Sequence, residues 1–367
     1  MIHGWRLEQT GMVSEQDDSK GGHSPRDPAP RHVPVLLSEV LTALAIKDGG
    51  RLVDATFGAG GYTRAMLDAV DCHALALDRD PSATAGGAAM VERYAPRLEL
   101  RNVRFGVLSE WVDADPKVYE ARFDGVVFDL GISSMQIDQA ERGFSFQADG
   151  PLDMRMSAAG GISAPDDESP TAADLVNTLD ESDLADVLFH YGEERRSRAI
   201  ARAVAKARRS APITTTAHLA AIVESVLGRG PRDTKHPATR TFQALRIAVN
   251  GEFDELVQGL LGAERMLRPG GRLVVVTFHS LEDRIVKRLL AERSGKMASG
   301  SRHLPAPLRL HQPSLRLVYQ KPLPPSNEEI ARNPRARSAK LRAAERLDAP
   351  VSPLNPEALG VPRVQLR

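Results

Sequence analysis

The sequence holds a single cysteine, Cys72, in 367 residues. No disulfide can form within the chain, and the expected setting is a reducing one, the cytoplasm. No run of about 18 apolar residues occurs, so no membrane span and no membrane partner are expected. The N-terminal stretch lacks the apolar centre of a signal peptide. The ten histidines fall in no HExxH pattern and have no CxxC beside them, so no metal site is expected. A Gly-x-Ser-x-Gly nucleophile elbow is missing, and so is any internal repeat. Net charge is missing too, because 48 Lys+Arg balance 48 Asp+Glu.

The balance hides a division. Residues 1–194 carry 16 basic against 34 acidic side chains, whereas residues 195–367 carry 32 against 14. Such asymmetry is expected where part of a surface meets a polyanion. At 42% hydrophobic the chain can bury a substantial core.

Short apolar runs alternate with helical stretches. Residues 52–55, 74–77, 98–104, 126–130 and 272–278 read as strands buried on both faces of a parallel sheet, with residues 36–44 and 63–70 as helices between them. From about residue 136 to 251 only helical patterns occur, at 172–179, 182–191, 193–209, 217–227 and 238–249. A long helix over about 252–267 precedes the Arg268–Gly271 turn, and residues 315–320 and 339–343 supply the last strands. The fold class is therefore α/β, a doubly wound sheet with an inserted all-helical domain. The expected boundaries are a disordered arm over 1–31, a ligand-binding sheet domain over 32–135 and 251–347, a helical substrate-recognition insert over 136–250, and a loose tail over 348–367.

Residues 51–61, Arg-Leu-Val-Asp-Ala-Thr-Phe-Gly-Ala-Gly-Gly, carry the strongest local signal. A strand ends in Asp54, the glycines Gly58, Gly60 and Gly61 follow, and a helix opens. Glycines let backbone approach a ligand closely and supply positive φ where a turn requires it. Asp78 ends the next strand 20 residues after Gly58, the spacing at which an acid reaches ribose hydroxyls. Nicotinamide and S-adenosylmethionine (SAM) proteins share that acid. Asp54 favours SAM, because a carboxylate beside the turn suits a sulfonium amino acid better than a pyrophosphate.

Phe128-Asp129-Leu130-Gly131-Ile132-Ser133-Ser134 places an acid and hydroxyls at the end of the fourth strand, the edge where open α/β sheets bind ligands. A conjugated exocyclic amine is a poor nucleophile, and a fixed carboxylate that accepts its N–H bonds pushes electron density towards an incoming methyl. Asp129 is thus a candidate for amine positioning. His279, after the fifth strand, is a candidate proton acceptor or base contact, and Ser280 reads as the cap of the following helix. The loop Arg142-Gly143-Phe144-Ser145-Phe146 offers aromatics either to stack an extruded base or to plug the seam beneath the insert. Three basic runs suggest phosphate contacts: Arg195, Arg198, Arg202, Lys206 and Arg209; then Arg229, Arg232, Lys235 and Arg240; then Arg332, Arg335, Arg337, Lys340, Arg342 and Arg346.

Long stretches of the chain resemble the bacterial 16S ribosomal RNA cytosine-N4 methyltransferase family, the RsmH/MraW type. They include residues 32–37, Asp54 to Gly61, Leu77 to Pro81, Asp129 to Ser134, Glu141 to Phe146, Asp149 to Met156, Tyr191 to Arg195, His236 to Gln243, Phe278 to Arg284 and Asn333 to Ser338. The resemblance implies a class I SAM-dependent methyltransferase sheet and N4-methylation of a decoding-site cytidine in 16S rRNA, within a small ribosomal subunit or its precursor. It implies cofactor contacts at Gly60, Gly61, Tyr62, Asp78, Leu108, Asp129 and Gln136. Tyr62 stands where the family usually has His, Leu108 where Phe is common, and Met135 where Pro is frequent. The alternative is a non-catalytic RNA-binding assembly factor on the same fold. A nicotinamide dehydrogenase is disfavoured by Asp54, and a DNA amino methyltransferase by Asp-Leu-Gly-Ile where Asp/Asn/Ser-Pro-Pro-Tyr would stand.

Overall fold

Seven strands form one sheet in the order β3-β2-β1-β4-β5-β7-β6. They are β1 (Arg51–Asp54), β2 (His73–Asp78), β3 (Leu98–Asn102), β4 (Phe123–Asp129), β5 (Leu267–Thr277), β6 (Leu315–Leu317) and β7 (Lys340–Arg346). The first five run parallel, and β7 pairs antiparallel with both β5 and β6. The computed structural model describes residues 34–157, 169–230, 236–296 and 312–364; the arm expected over 1–31, and Arg232 and Lys235, lie outside the described residues.

Side-chain alternation explains why the strands are apolar throughout. Val53, Val126, Phe128, Leu273 and Val275 enter one core, while Leu52, Val127, Val274 and Val276 enter another on the opposite face. The other strands end within about three residues of the sequence expectation, β4 starting at Phe123, β6 ending at Leu317 and β7 running on to Arg346, whereas β5 already pairs at Leu267 and bulges over Arg268–Gly271 before resuming at Arg272.

Helices cover both faces: α1 (Leu37–Leu44), α2 (Gly61–Ala69), α3 (Pro81–Gly86), α4 (Ala88–Tyr94), α5 (Val107–Ala114), α6 (Pro116–Tyr119) and α7 (Ser134–Asp138). Between β4 and β5 come α8 (Ala172–Thr178), α9 (Glu181–Gly192), α10 (Ser197–Ala207), α11 (Thr216–Leu227), α12 (Thr239–Asn250) and α13 (Glu252–Met266). α14 (Ser280–Arg293) and α15 (Asn327–Arg332) complete the set. α8 to α12 share a third core that includes Leu184, Leu188, Ile200, Val204, Leu219, Val223 and Leu245. This helical lobe nevertheless belongs to one compact unit with the sheet, beginning at Pro34. The C-terminal stretch expected to be loose is docked instead: Leu359 is buried in the sheet core and its carbonyl accepts from Arg288 at 3.1 Å.

The order of strands fixes the site. The chain winds outward through β1, β2 and β3, then returns to place β4 on the other side of β1. The carboxyl ends of β1 and β4 therefore flank the reversal point, where open α/β sheets leave a crevice.

Candidate active site at the carboxyl rim of the sheet

β1 delivers Asp54 to this crevice. Its fully buried carboxylate accepts the Thr56 amide at 3.2 Å and the Thr63 hydroxyl at 2.7 Å, so the acid staples the turn to α2. Burial pushes its pKa up against those hydrogen bonds. Gly60 holds φ +73°, and a Cβ there would sit 2.5 Å from Met90 and 2.7 Å from Phe57; at Gly61 it would sit 2.2 Å from Cγ of Pro34. The turn is closed to side chains on its protein face. The first amides of α2 have no intrahelical acceptor, as at any helix start. Tyr62 contributes only backbone here, since its ring is buried and its hydroxyl donates to the Val35 carbonyl.

Asp78 faces the same turn. One carboxylate oxygen accepts the Gly58 amide at 2.7 Å and the other the Asp80 amide at 2.8 Å. Burial raises its pKa to about 6, against the pull of those two amides. Asp80 is the centre of a buried network missing from the sequence-derived site. It accepts from Ser82, from Gln136 Nε2 at 2.8 Å and from Arg142 Nη1 at 2.8 Å. Burial opposes its charge, but these donors and the guanidinium hold its carboxyl below the usual range. Arg142 is 2% exposed and also donates to the carbonyls of Arg155 and Met156. Gln136, expected to touch the cofactor, commits its amide nitrogen to Asp80 and its oxygen to the Ser133 amide. The Asp-x-Asp-Pro spacing at residues 78–81 was the available signal, since an acid just before proline at a helix start is a natural cap.

β4 delivers Asp129. Its amide donates to the Thr56 hydroxyl at 2.7 Å, which ties β4 to the turn across the crevice. Its Oδ1 is buried and has no hydrogen-bond partner. Burial, then the negative charges of Asp54 and Glu282, push its pKa to about 8. A buried carboxylate left without a donor is the mark of a group waiting for a ligand.

β5 ends beside it. His279, not Ser280, caps α14: its Nδ1 faces the Glu282 amide at 3.5 Å, and the Glu282 carboxylate returns to the His279 amide at 3.3 Å. The ring's other nitrogen lies 2.9 Å from the Glu282 carboxylate. Both nitrogens thus face Glu282, although the second, buried like Asp129 Oδ1, makes no hydrogen bond. Ser280 is free to donate to Glu193 at 2.7 Å, which pins α9 to the rim. Ligand atoms of Glu252, His279 and Glu282 come within 4.8 Å of one another. Arg246 already supplies positive charge there, with two 2.7 Å bonds to Glu252 and a 3.9 Å approach to Glu282.

Three expectations move. Leu108, expected to contact the cofactor, has no exposed surface and packs in the core where α5 crosses Gly262 of α13. Phe144 joins the helical core, and Phe146 packs on His236 and Phe242 with ring centroids 4.5 and 5.0 Å away. The aromatics of this loop therefore fill the lobe. Among the basic runs, Arg198, Arg202 and Lys206 share the exposed face of α10 opposite Ile200 and Val204, and Arg195 and Arg209 are exposed just before and just after the helix. The last run divides: Lys340 and Arg342 pair with Asp283 at 3.2 and 2.7 Å, whereas Arg332, Arg335 and Arg337 are exposed just before β7, whose start lies beside the end of β5.

The reversed β7 beside β5 separates this sheet from the parallel dinucleotide-binding one and makes it a class I SAM-dependent methyltransferase architecture. The chain belongs to the MraW methylase family, whose model matches residues 29–347. It is 57% identical over 330 residues to a protein of Methylorubrum extorquens, covering 90% of each chain. It is 58% identical over 345 residues to one of Xanthobacter autotrophicus, covering 94% of each. Both relatives are called ribosomal RNA small subunit methyltransferase H. A solved rRNA methylase of Streptococcus thermophilus is a distant likeness, with a TM-score of 0.36 and 12% identity over 87% of this chain and 100% of that one. Among the described residues, no helix is long and apolar enough to cross a membrane.

Proposed function

We propose that this chain transfers the methyl of SAM to the exocyclic N4 amine of a decoding-site cytidine in small-subunit (16S) rRNA. The observation that carries the reading is the orphaned carboxylate of Asp129, held between the glycine turn and the carboxyl end of β5. The residues suit the cofactor. Gly60 and Gly61 let the turn pack tightly on Phe57, Met90 and Pro34, where no Cβ fits, so that backbone alone lines it, and the carboxylates of Asp78 and Asp129 are suited to ribose hydroxyls and to a cationic ligand. Each oxygen of Asp78 has a second lone-pair site beyond its amide bond, so hydroxyls can join without displacing Gly58. SAM supplies an activated methyl on a sulfonium that leaves as a neutral thioether.

Asp129 does the rest from the protein side. Its free Oδ1 accepts an N–H of the target amine and makes that nitrogen more electron-rich. The N–C bond forms as the C–S bond breaks, and the now acidic nitrogen releases its proton afterwards, so a weak acceptor suffices. Thr56 and Asp54 fix the position of β1 against β4 while this happens. The RNA is held by its phosphates: the α10 face of the helical lobe and Arg332, Arg335 and Arg337 before β7 supply the contacts, which position without reading sequence. The cytidine must leave its stack to reach the crevice. We take the substrate to be rRNA within a small ribosomal subunit or its precursor.

The test is transfer of labelled methyl from SAM to small-subunit rRNA, offered as naked RNA and as assembled subunits, followed by nucleoside identification. N4-methylcytidine is expected. RNA binding without transfer would instead support a non-catalytic assembly factor, and label on another nucleoside would reject the target.

A further inference from the structure

Three large apolar side chains are exposed among the described residues, Val118, Met135 and Phe189, and Phe189 is the aromatic one, at 52% exposure. It sits on α9, on a solvent-facing stripe with Ser182 and Asp186. One turn further on, at the end of that helix, Glu193 binds Ser280 and Arg284 of α14 at 2.7 Å each. Ser280 is the first residue of the helix that follows β5. Phe189 is therefore about one helical turn, roughly 5 Å of rise, from the contact that anchors the lobe to the catalytic rim.

Cations surround this place. Arg240 of α12 donates to the Glu193 carbonyl at 3.1 Å and is exposed. Arg195 and Arg196, just beyond α9, are exposed, and the Arg284 side chain is 43% exposed. His190 and Phe189 make a T-shaped pair with ring centroids 5.1 Å apart, and the phenyl ring still keeps about half its surface open to solvent. An exposed apolar ring one helical turn from these guanidinium groups is poorly placed for an apolar protein surface and well placed for a nucleobase, whose phosphates the arginines would hold.

We propose that Phe189 is a stacking platform for an unpaired base of the RNA substrate, one that flanks the nucleotide delivered to Asp129. The proposal rests on the reading of the substrate as RNA. It gives the lobe a contact with a base in addition to its contacts with phosphates. A stacked neighbour would hold the strand open while the target is extruded.

Binding of small-subunit rRNA and of SAM should be measured for the parent and for Phe189→Ala, Phe189→Leu and Phe189→Trp. Loss of one stacked base is expected to weaken RNA binding about tenfold in both the Ala and Leu variants, with SAM affinity unchanged. Phe189→Trp is expected to bind RNA as the parent does, with its added indole emission quenched by RNA. Parent-like RNA affinity in Phe189→Ala would overturn the proposal. So would a change of oligomeric state on light scattering with RNA affinity intact, which would make Phe189 a protein contact. A parent protein that binds no rRNA would instead remove the substrate reading itself.

Discussion

Asp78 accepts the amide of Gly58 on one carboxylate oxygen and that of Asp80 on the other, at 2.7 and 2.8 Å. The acid assigned to the ribose is thus also the brace that shapes the glycine turn. Asp78→Ala removes both functions, and SAM affinity is expected to fall roughly ten- to hundredfold, the range for losing a charged hydrogen-bond partner. Titration calorimetry on variants with parent-like circular dichroism checks this. Unchanged affinity would place the ribose elsewhere.

Asp129 carries a pH signature. Its pKa of about 8 in the folded protein lies above the ordinary value of about 3.9. Between those values the native state holds a proton that the unfolded chain releases, so this group's contribution to stability falls as pH rises through the window. Asp129→Asn removes that penalty. Its melting temperature is expected to match the parent near pH 4 and exceed it above pH 8. Binding of a sulfonium favours the ionised form, so proton release on adding SAM at pH 7 is also expected, measured by calorimetry in buffers of different ionisation enthalpy.

The Asp80–Arg142 pair is buried on both sides, with side chains 3% and 1% exposed. Breaking such a pair from one side leaves an uncompensated charge and costs about 3–5 kcal/mol. Asp80→Ala and Arg142→Met are each expected to lower the urea midpoint, and the double variant to recover part of the loss. Strictly additive losses would show that the two are not coupled.

Two glycines of the turn are expected to differ. A Cβ at Gly58 meets nothing within 4 Å, so Gly58→Ala faces only the strain of φ +54°, about 1–2 kcal/mol. Gly61→Ala drives a methyl into Pro34, 2.2 Å away, and shifts the start of α2. The first variant is expected to keep SAM binding and the second to lose it, as read by calorimetry. Equal behaviour would mean that the packing against Pro34 is immaterial.

The sheet was legible because its strands are apolar on both faces, and the glycine turn because its residue types have few other uses at the end of a strand. Asp78 and Asp129 could be placed on the rim from strand ends alone. Gln136 and Leu108 could not, since whether a side chain turns towards a ligand or a core depends on partners distant in sequence: Asp80 for one, Gly262 for the other. Arg142 looked like a loop residue and is among the largest fully buried side chains, because its acid lies 62 positions earlier. The C-terminal tail looked loose for its prolines, yet Leu359 anchors it in the core, with Leu354 and Val361 packed beside it. Capping by His279 was missed because serine is the commoner cap, and an imidazole in that role depends on Glu282 turning back to it.

The most direct measurement is a mass-spectrometric map of small-subunit rRNA from cells that lack this chain, compared with cells that carry it or its Asp129→Ala variant. One methyl missing from N4 of a decoding-site cytidine, restored by the parent and not by Asp129→Ala, is the expected result. A map that is the same in all three strains would contradict the proposed function.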